Sequence, residues 1–192
     1  SIDRERAHMR ASEILPWMIK HDTTFVFVTI GRLTGIKNQK LLIEAYKKLR
    51  EEYENIALWL LGDGPLKWEL EQSTKWDNSI TFFWNQKNIY PYLKNASCFV
   101  LTSFSEAFPN VILQAMAMWL PVISTDTQWS REILPESKYG IIVGNNELGE
   151  LVWAMKDVYG NPNIKDTLIS GSIMRVWDFE LSHIIEQWRR IF

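Results

Sequence analysis

The stretch FVFVTIGRLTGIKNQKLLIEAYKKL at residues 25–49 joins a strand pattern to a helix pattern. Its first six residues are apolar or β-branched, which favours a β-strand that is buried on both faces. From Gln39 to Glu52, apolar side chains recur at i, i+3 and i+4 spacing, which is typical of an amphipathic helix. Between the two lies a loop, residues 31–37, with two glycines and two cations. The order predicts a βα unit with polar residues at the carboxyl end of its strand.

The same alternation of strand and helix patterns continues along the chain. Short apolar runs predict further strands at 56–61, 80–83, 97–101, 122–124 and 140–143. Helical periodicity predicts helices at 39–52, 66–75, 89–93, 109–119 and 147–158, a terminal pair within 164–191, and a leading helix at 4–15. Repeated βα units favour a parallel sheet. We therefore predict an α/β fold: a single Rossmann-like domain over residues 1–192, with a six-stranded, mainly parallel sheet and helices on both faces.

Composition excludes several classes of protein. The 192 residues carry 21 Lys+Arg against 23 Asp+Glu, a net charge of −2 that provides no broad basic surface for nucleic acid. The single cysteine, Cys98, excludes an internal disulfide framework and suits a reducing compartment. No segment approaches the ~20 apolar residues that span a bilayer, and the charged first residues do not resemble a secretory signal. The three histidines are scattered, so we expect no metal site. These features predict a cytoplasmic protein.

The candidate ligand site lies in the loops after the strands, because ligands of open α/β sheets bind beyond the strands' carboxyl ends. Arg32 and Lys37 follow the first strand, where a guanidinium fork and a mobile ammonium could share a diphosphate. The alternative is that both are solvated surface charges. Glu106 follows the fourth strand, and a carboxylate there suggests a ligand with hydroxyl donors, such as a sugar. The alternative for Glu106 is an exposed loop acid or a partner of the helix dipole.

A proline marks the start of the helix that follows Glu106. Pro109 suits the first helical position, where its missing N–H costs nothing. The amides of Asn110, Val111 and Ile112 would then point outward from the positive end of the helix and could hold a phosphate, although the helix could also start there without binding an anion. Gln114 interrupts an otherwise apolar helix. Its amide must therefore bond either to neighbouring backbone or to a ligand.

Four segments, in this order, resemble a known family. They are GRLTGIKNQKLLIEAYKKL (31–49), LWLLGDGPLKWELE (58–71), ITFFWNQKNIYPYLKNASCFVLTSFSEAFPNVILQAMAMWLPVIS (80–124) and REIL (131–134). They are similar to the C-terminal, donor-binding domain of GT-B retaining glycosyltransferases, and within these to glycosyltransferase family 4, the group 1 glycosyltransferases. The resemblance covers residues 25–158 strongly and the flanking helices loosely.

The resemblance implies a nucleotide-sugar donor, here a UDP-sugar, and no prosthetic group. It implies that Arg32 and Lys37 hold the diphosphate and that Glu106 bonds the sugar hydroxyls, and we expect these three residues to be catalytic. We expect donor binding by Gly31, Arg32, Lys37, Trp84, Asn85, Phe108, Pro109, Asn110, Val111 and Gln114. No residue is expected to bind a metal.

The chain departs from the family pattern at several positions. The family's paired acids, E-x7-E, fall on Glu106 and Gln114, and a glutamine loses the charge-assisted bond that a second acid makes to ribose hydroxyls. Family members commonly have glycine at four positions that here hold Trp84, Ala107, Trp119 and Trp129. An indole at such a position either fills the space of the ligand or forces the loop elsewhere, although Trp84 could instead stack on the base.

The first functional hypothesis is therefore the donor-binding half of a glycosyltransferase, which transfers a hexose from a UDP-sugar to a glycan or lipid acceptor with retention. Such an enzyme needs a second, N-terminal GT-B domain for the acceptor, so we expect this fragment to be inactive alone. The first alternative is a decayed or altered GT-B-like domain that acts as a non-catalytic binding or structural module. The second alternative is a flavodoxin-like domain that binds another phosphate ligand.

The last residues bear on membrane contact. The segment IIEQWRRIF (184–192) is cationic and amphipathic, so the full-length enzyme could make peripheral contact with the inner membrane surface. A helix packed on the domain is the competing interpretation.

Overall fold

A computed structural model of the protein describes residues 24–180. Its centre is one sheet of six strands in the order β3-β2-β1-β4-β5-β6. The strands are β1 (Phe25–Ile30), β2 (Ile56–Leu61), β3 (Ile80–Phe83), β4 (Cys98–Leu101), β5 (Val122–Thr125) and β6 (Ile141–Val143). Every neighbouring pair is parallel, which confirms the Rossmann-like prediction and makes the sheet wholly rather than mainly parallel.

Helices connect these strands. They are α1 (Gln39–Arg50), α2 (Lys67–Thr74), α3 (Tyr90–Asn95), α4 (Asn110–Ala117), α5 (Gln128–Ile133), α6 (Leu148–Gly160) and α7 (Pro162–Val176), with 3₁₀ turns at Gly35–Lys37 and Trp177–Phe179. No helix within residues 24–180 is both long and apolar enough to cross a membrane. The predicted helix at 4–15 and the terminal segment 184–192 lie outside the described residues.

The sequence analysis missed α5. This helix has only six residues, too few to show a helical period in the sequence. Its start is fixed by Thr127, whose side-chain oxygen accepts a hydrogen bond from the amide of Ser130.

Two apolar clusters cover the two faces of the sheet. Successive β1 residues point to opposite faces, so Phe27 packs in a cluster with α1 and α6 while Val28 packs in one with α3 and α4. Cys98 is fully buried in the first cluster, and this burial raises the pKa of its thiol. The lone cysteine is therefore a core residue that stays protonated.

Helix α7 holds α5 in place at its C-terminal end. The guanidinium of Arg175 donates from Nε to the Ile133 carbonyl at 2.9 Å and from Nη2 to the Glu132 carbonyl at 2.6 Å. Carbonyls at the end of a helix lack partners within it, so these bonds satisfy groups that would otherwise need water. The short helix is thus capped by Thr127 at one end and by Arg175 at the other.

The glycines after β2 allow a close approach between two loops. A Cβ on Gly64 would lie 2.4 Å from the Leu33 carbonyl oxygen, and one on Gly62, whose φ is 147°, would lie 2.0 Å from the Gly31 oxygen. The amide of Leu33 also donates to the Asp63 carbonyl at 2.9 Å. The G-D-G motif therefore fastens the loop after β2 to the loop after β1.

A tryptophan ends α4 in a left-handed conformation. Trp119 has a φ of 61°, and its amide donates to the Met116 carbonyl at 2.9 Å. A side chain in this conformation costs roughly 1–2 kcal/mol, a cost that glycine would avoid.

We expect Gly64→Ala to lower the free energy of unfolding by about 1–3 kcal/mol, because the backbone atoms of Leu33 leave no room for a methyl group. Denaturant unfolding measures the change. Gly35→Ala is the matched control, since a Cβ there meets nothing within 4 Å. Equal stability of the two variants would contradict the close approach.

We expect Trp119→Gly to be more stable than Trp119→Ala by about 1 kcal/mol, since both variants lack the indole and only glycine relieves the positive φ. The same pair of substitutions at Trp68, an exposed position within α2, should give the opposite order. Thermal or denaturant unfolding of the four variants makes the comparison, and alanine proving better at both positions would refute the left-handed assignment.

Candidate functional site

The site begins where the strand order reverses. Strands β1 and β4 are neighbours in the sheet but not in the sequence, and such a switch point opens a crevice at the carboxyl edge. The loops after these strands are tied together there. The amide of Phe104 donates to the Ile36 carbonyl at 2.8 Å, and the hydroxyl of Thr102 donates to the carbonyls of Lys37 and Asn38, each at 3.0 Å.

An ion pair joins two of the predicted catalytic residues. The ammonium of Lys37 donates to both carboxylate oxygens of Glu106, at 2.5 Å to Oε1 and 2.6 Å to Oε2. The Glu106 side chain is only 9% exposed and that of Lys37 is 22% exposed. A carboxylate this buried needs a charged partner, and Lys37 supplies it.

A cavity of about 660 Å³ adjoins this pair, within the usual range of small-molecule sites. Its wall includes Ile30, Gly31, Arg32, Gly62, Asp63, Gly64, Pro65, Asn85, Gln86 and Ile89. Gly31 is the boundary between the cavity and the ion pair, because a Cβ on Gly31 would lie 3.8 Å from two methylene carbons of Lys37. The predicted residues Gly31, Arg32 and Asn85 therefore line the same cavity, next to Lys37.

Arg32 is an exposed cation in the lining of this cavity. Its side chain forms no ion pair with any residue of the described range 24–180. Its carbonyl accepts a hydrogen bond at 3.0 Å from the buried amide of Gln39, which fixes the backbone. An exposed guanidinium on a fixed backbone is suited to binding an anion.

The start of α4 differs from the sequence prediction by one residue. Pro109 precedes the helix as its N-cap, with φ −82° and ψ 72°, the geometry of an inverse γ-turn. The amide of Asn110 donates to the Phe108 carbonyl, and that of Ile112 to the Pro109 carbonyl, both at 2.9 Å. Of the three predicted anion donors, only the Val111 amide has no backbone acceptor among the described residues.

Gln114 lies on the one open face of α4. Gln114 follows the exposed Asn110 by one helical turn, so the two residues share a face of the helix. The buried residues of the helix are Ile112, Leu113, Ala115, Met116 and Ala117. Its amide is half-buried and makes no hydrogen bond to another described residue. Of the two alternatives for Gln114, the bond to neighbouring backbone is not seen in residues 24–180, which leaves the bond to a ligand.

None of the three tryptophans at usual glycine positions lines the cavity. Trp84 is 63% exposed and lies beneath the ammonium of Lys67, which covers one indole face. Trp129 is half-buried in α5 and packs edge-on against Phe108, with ring centroids 5.0 Å apart. Trp119 is the one of the three with a positive φ. The cavity is therefore open despite these substitutions.

The loop after β5 carries a second ion pair. Arg131 donates to both carboxylate oxygens of Asp126 at 2.5 Å, and these hydrogen bonds lower the pKa of Asp126. The Arg131 side chain is strongly exposed, so this ion pair contributes little to the stability of the fold. Within residues 24–180, no cluster of three or more His, Cys, Asp or Glu side chains could hold a metal ion.

Sequence reasoning missed the residues that support this site. Thr102 and Ser103 were not singled out, yet both are buried and bond to Lys37 or Glu106. Gln86 was also missed, although it lines the cavity next to Asn85. For the cavity lining, one signal was available in the sequence. The closely spaced glycines of G-D-G after β2 indicate a close backbone approach.

Comparison with curated proteins gives several relatives. The chain is 33% identical over 201 residues to the uncharacterized glycosyltransferase MJ1059 of Methanocaldococcus jannaschii, covering 86% of this chain and 49% of that protein. It is 27% identical over 180 residues to a Campylobacter jejuni protein, GalNAc-alpha-(1->4)-GalNAc-alpha-(1->3)-diNAcBac-PP-undecaprenol alpha-1,4-N-acetyl-D-galactosaminyltransferase, covering 90% of this chain and 50% of that protein. The chain thus spans about half the length of these relatives.

Solved structures share the fold. Anabaena Alr3699/HepE in complex with UDP and glucose has a TM-score of 0.81 at 20% identity, covering all of this chain and 54% of that one. The C-terminal domain of LpcC, a group 1 family glycosyl transferase from Francisella tularensis, has a TM-score of 0.80 at 19% identity, covering 94% of this chain and 100% of that one.

A family model, described as glycosyl transferases group 1, matches residues 24–161. This range includes all six strands, the cavity and the Lys37–Glu106 pair. The resemblance inferred from the sequence motifs is therefore confirmed, and the chain belongs to the group 1 family of glycosyl transferases, with the C-terminal domain fold of GT-B members.

Proposed function

We propose that this chain is the nucleotide-sugar-binding half of a glycosyltransferase, which transfers a hexose from a UDP-sugar to a glycan or lipid acceptor with retention. One observation carries the proposal: a buried carboxylate and an ammonium lie side by side next to a cavity that is also lined by Arg32, whose exposed guanidinium forms no ion pair with a residue in 24–180. This combination suits a ligand that has both phosphates and hydroxyls.

Each group has a distinct role in the proposed reaction. When the bond between sugar and diphosphate breaks, negative charge grows on the leaving diphosphate. Lys37, held by Glu106, and the Val111 amide, held in a helix, would stabilise that charge together with the exposed guanidinium of Arg32. Glu106 would accept a hydrogen bond from a sugar hydroxyl. Asn85 and Gln86, which also line the cavity, would meet the base through their amides.

The names of similar proteins support the donor class. Anabaena HepE was solved with UDP and glucose, and with UDP-glucose. The Campylobacter relative is named for transfer of N-acetylgalactosamine to an undecaprenol-linked glycan, which supports a glycan or lipid acceptor here. Because the chain spans half of that relative, we propose that an N-terminal GT-B domain supplies the acceptor site and that this fragment alone does not catalyse transfer. In that reading the whole enzyme works in the cytoplasm, with peripheral contact to the inner membrane surface.

The competing proposal is a non-catalytic GT-B-like module that binds a partner or serves a structural role. One observation favours it: Gln114 stands where the family commonly has its second acid. The open cavity and the exposed Arg32 in its lining favour the donor-binding proposal instead.

We expect calorimetric titration of the 192-residue chain to show binding of UDP, and Arg32→Ala to weaken that binding about tenfold by removing a charged donor to the diphosphate. Lys40→Ala is the control, because this exposed lysine pairs with Glu69 away from the cavity wall. The absence of heat with millimolar UDP would reject the donor-binding proposal and favour the non-catalytic module. A parallel titration with GDP tests the choice of base.

We also expect Gln114→Glu to tighten UDP binding by about fivefold, because a carboxylate accepts stronger hydrogen bonds from ribose hydroxyls than an amide does. Gln72→Glu, at an exposed position of α2, controls for the added negative charge. Weaker binding by the Gln114 variant, with the control unchanged, would show that this position does not face the ribose.

A further inference from the structure

A buried serine donates a hydrogen bond to the carboxylate of Glu106. Ser103 follows β4, is fully buried, and donates from its hydroxyl to Oε1 of Glu106 at 2.6 Å. A bond between a hydroxyl and a carboxylate is charge-assisted and about twice as strong as a neutral one. Ser103 therefore fixes one oxygen of Glu106.

The serine is itself fixed to the sheet. Thr125, the last residue of β5, is 1% exposed and donates from its hydroxyl to the Ser103 carbonyl at 2.6 Å. The preceding residue, Thr102, is equally buried and bonds to the carbonyls of Lys37 and Asn38. The segment that carries Ser103 thus has no freedom to move away from Glu106.

A count of hydrogen bonds shows what Glu106 has left to offer. A carboxylate has about four acceptor positions, two on each oxygen. Among residues 24–180, Oε1 accepts from Ser103 and Lys37, and Oε2 accepts from Lys37. This leaves one acceptor position on Oε2 that no described residue fills.

We infer that Ser103 is a positioning residue that locks the Glu106 carboxylate, so that Oε2 accepts a hydrogen bond from one hydroxyl of the donor sugar. This inference rests on the proposed function. Without the Ser103 hydroxyl, the ammonium of Lys37 is the remaining described group that orients the carboxylate, and the carboxylate plane can turn about the Cγ–Cδ bond. The sugar would then meet an acceptor of undefined orientation, while the diphosphate would still meet Arg32 and Lys37.

Comparing the binding of UDP-glucose with that of UDP distinguishes a positioning role of Ser103 from a purely structural role. Ser103→Ala should weaken binding of UDP-glucose about tenfold and leave binding of UDP, which lacks the sugar, within about twofold. A general loss of structure would weaken both ligands alike. The control is Ser172→Ala in α7. It removes another fully buried serine hydroxyl, which donates to the Leu120 carbonyl. That variant should leave both affinities unchanged.

A double variant tests whether Ser103 acts through Glu106. Glu106→Ala removes the acceptor of the Ser103 hydroxyl and should itself weaken binding of UDP-glucose, and adding Ser103→Ala should then cause no further loss. Equal weakening of UDP and UDP-glucose by Ser103→Ala, or fully additive losses in the double variant, would overturn the inference while leaving the proposed function intact. Failure of the unchanged chain to bind either ligand would instead overturn the proposed function and this inference with it.

Discussion

The whole site depends on the contact between Lys37 and Glu106, two residues 69 positions apart in the chain. The sheet order creates this contact, because placing β4 beside β1 sets the loops after these two strands next to each other. Buried hydroxyl and backbone bonds then fix the distance between the loops. The charges are therefore held by neutral groups that carry no signal of their own in the sequence.

Most of the fold was predictable from the sequence because the strands are short, apolar and bounded by polar loops. Three strands have the predicted bounds, and the others differ by one residue. Helix α5 was not predictable in the same way, since it is too short to show a period and takes its stability from Thr127 and Arg175. The position of Pro109 was off by one residue because a tight turn forms before the helix rather than within it.

The candidate site was predictable where a residue carries charge or belongs to a recurrent motif. Arg32, Lys37 and Glu106 were identified from their place after strands and from the family resemblance, and the structure brings them to one edge. Ser103 and Thr102 were not predictable, because a serine or threonine after a strand reads as an ordinary loop residue until its tertiary partner is known. The lack of a hydrogen bond between the Gln114 amide and any residue in 24–180 likewise follows from packing around α4 and not from its neighbours in the sequence.

The anchoring of α5 at both ends couples the site to the far side of the domain. A helix of six residues is not stable by itself, so it moves as a unit with the groups that hold it. Trp129 of α5 packs against Phe108, and Arg175 of α7 donates to the Ile133 carbonyl at the C-terminal end of α5. Displacing the Trp129 ring would therefore strain the hydrogen bonds that Arg175, in the last turn of α7, donates to the carbonyls of Glu132 and Ile133.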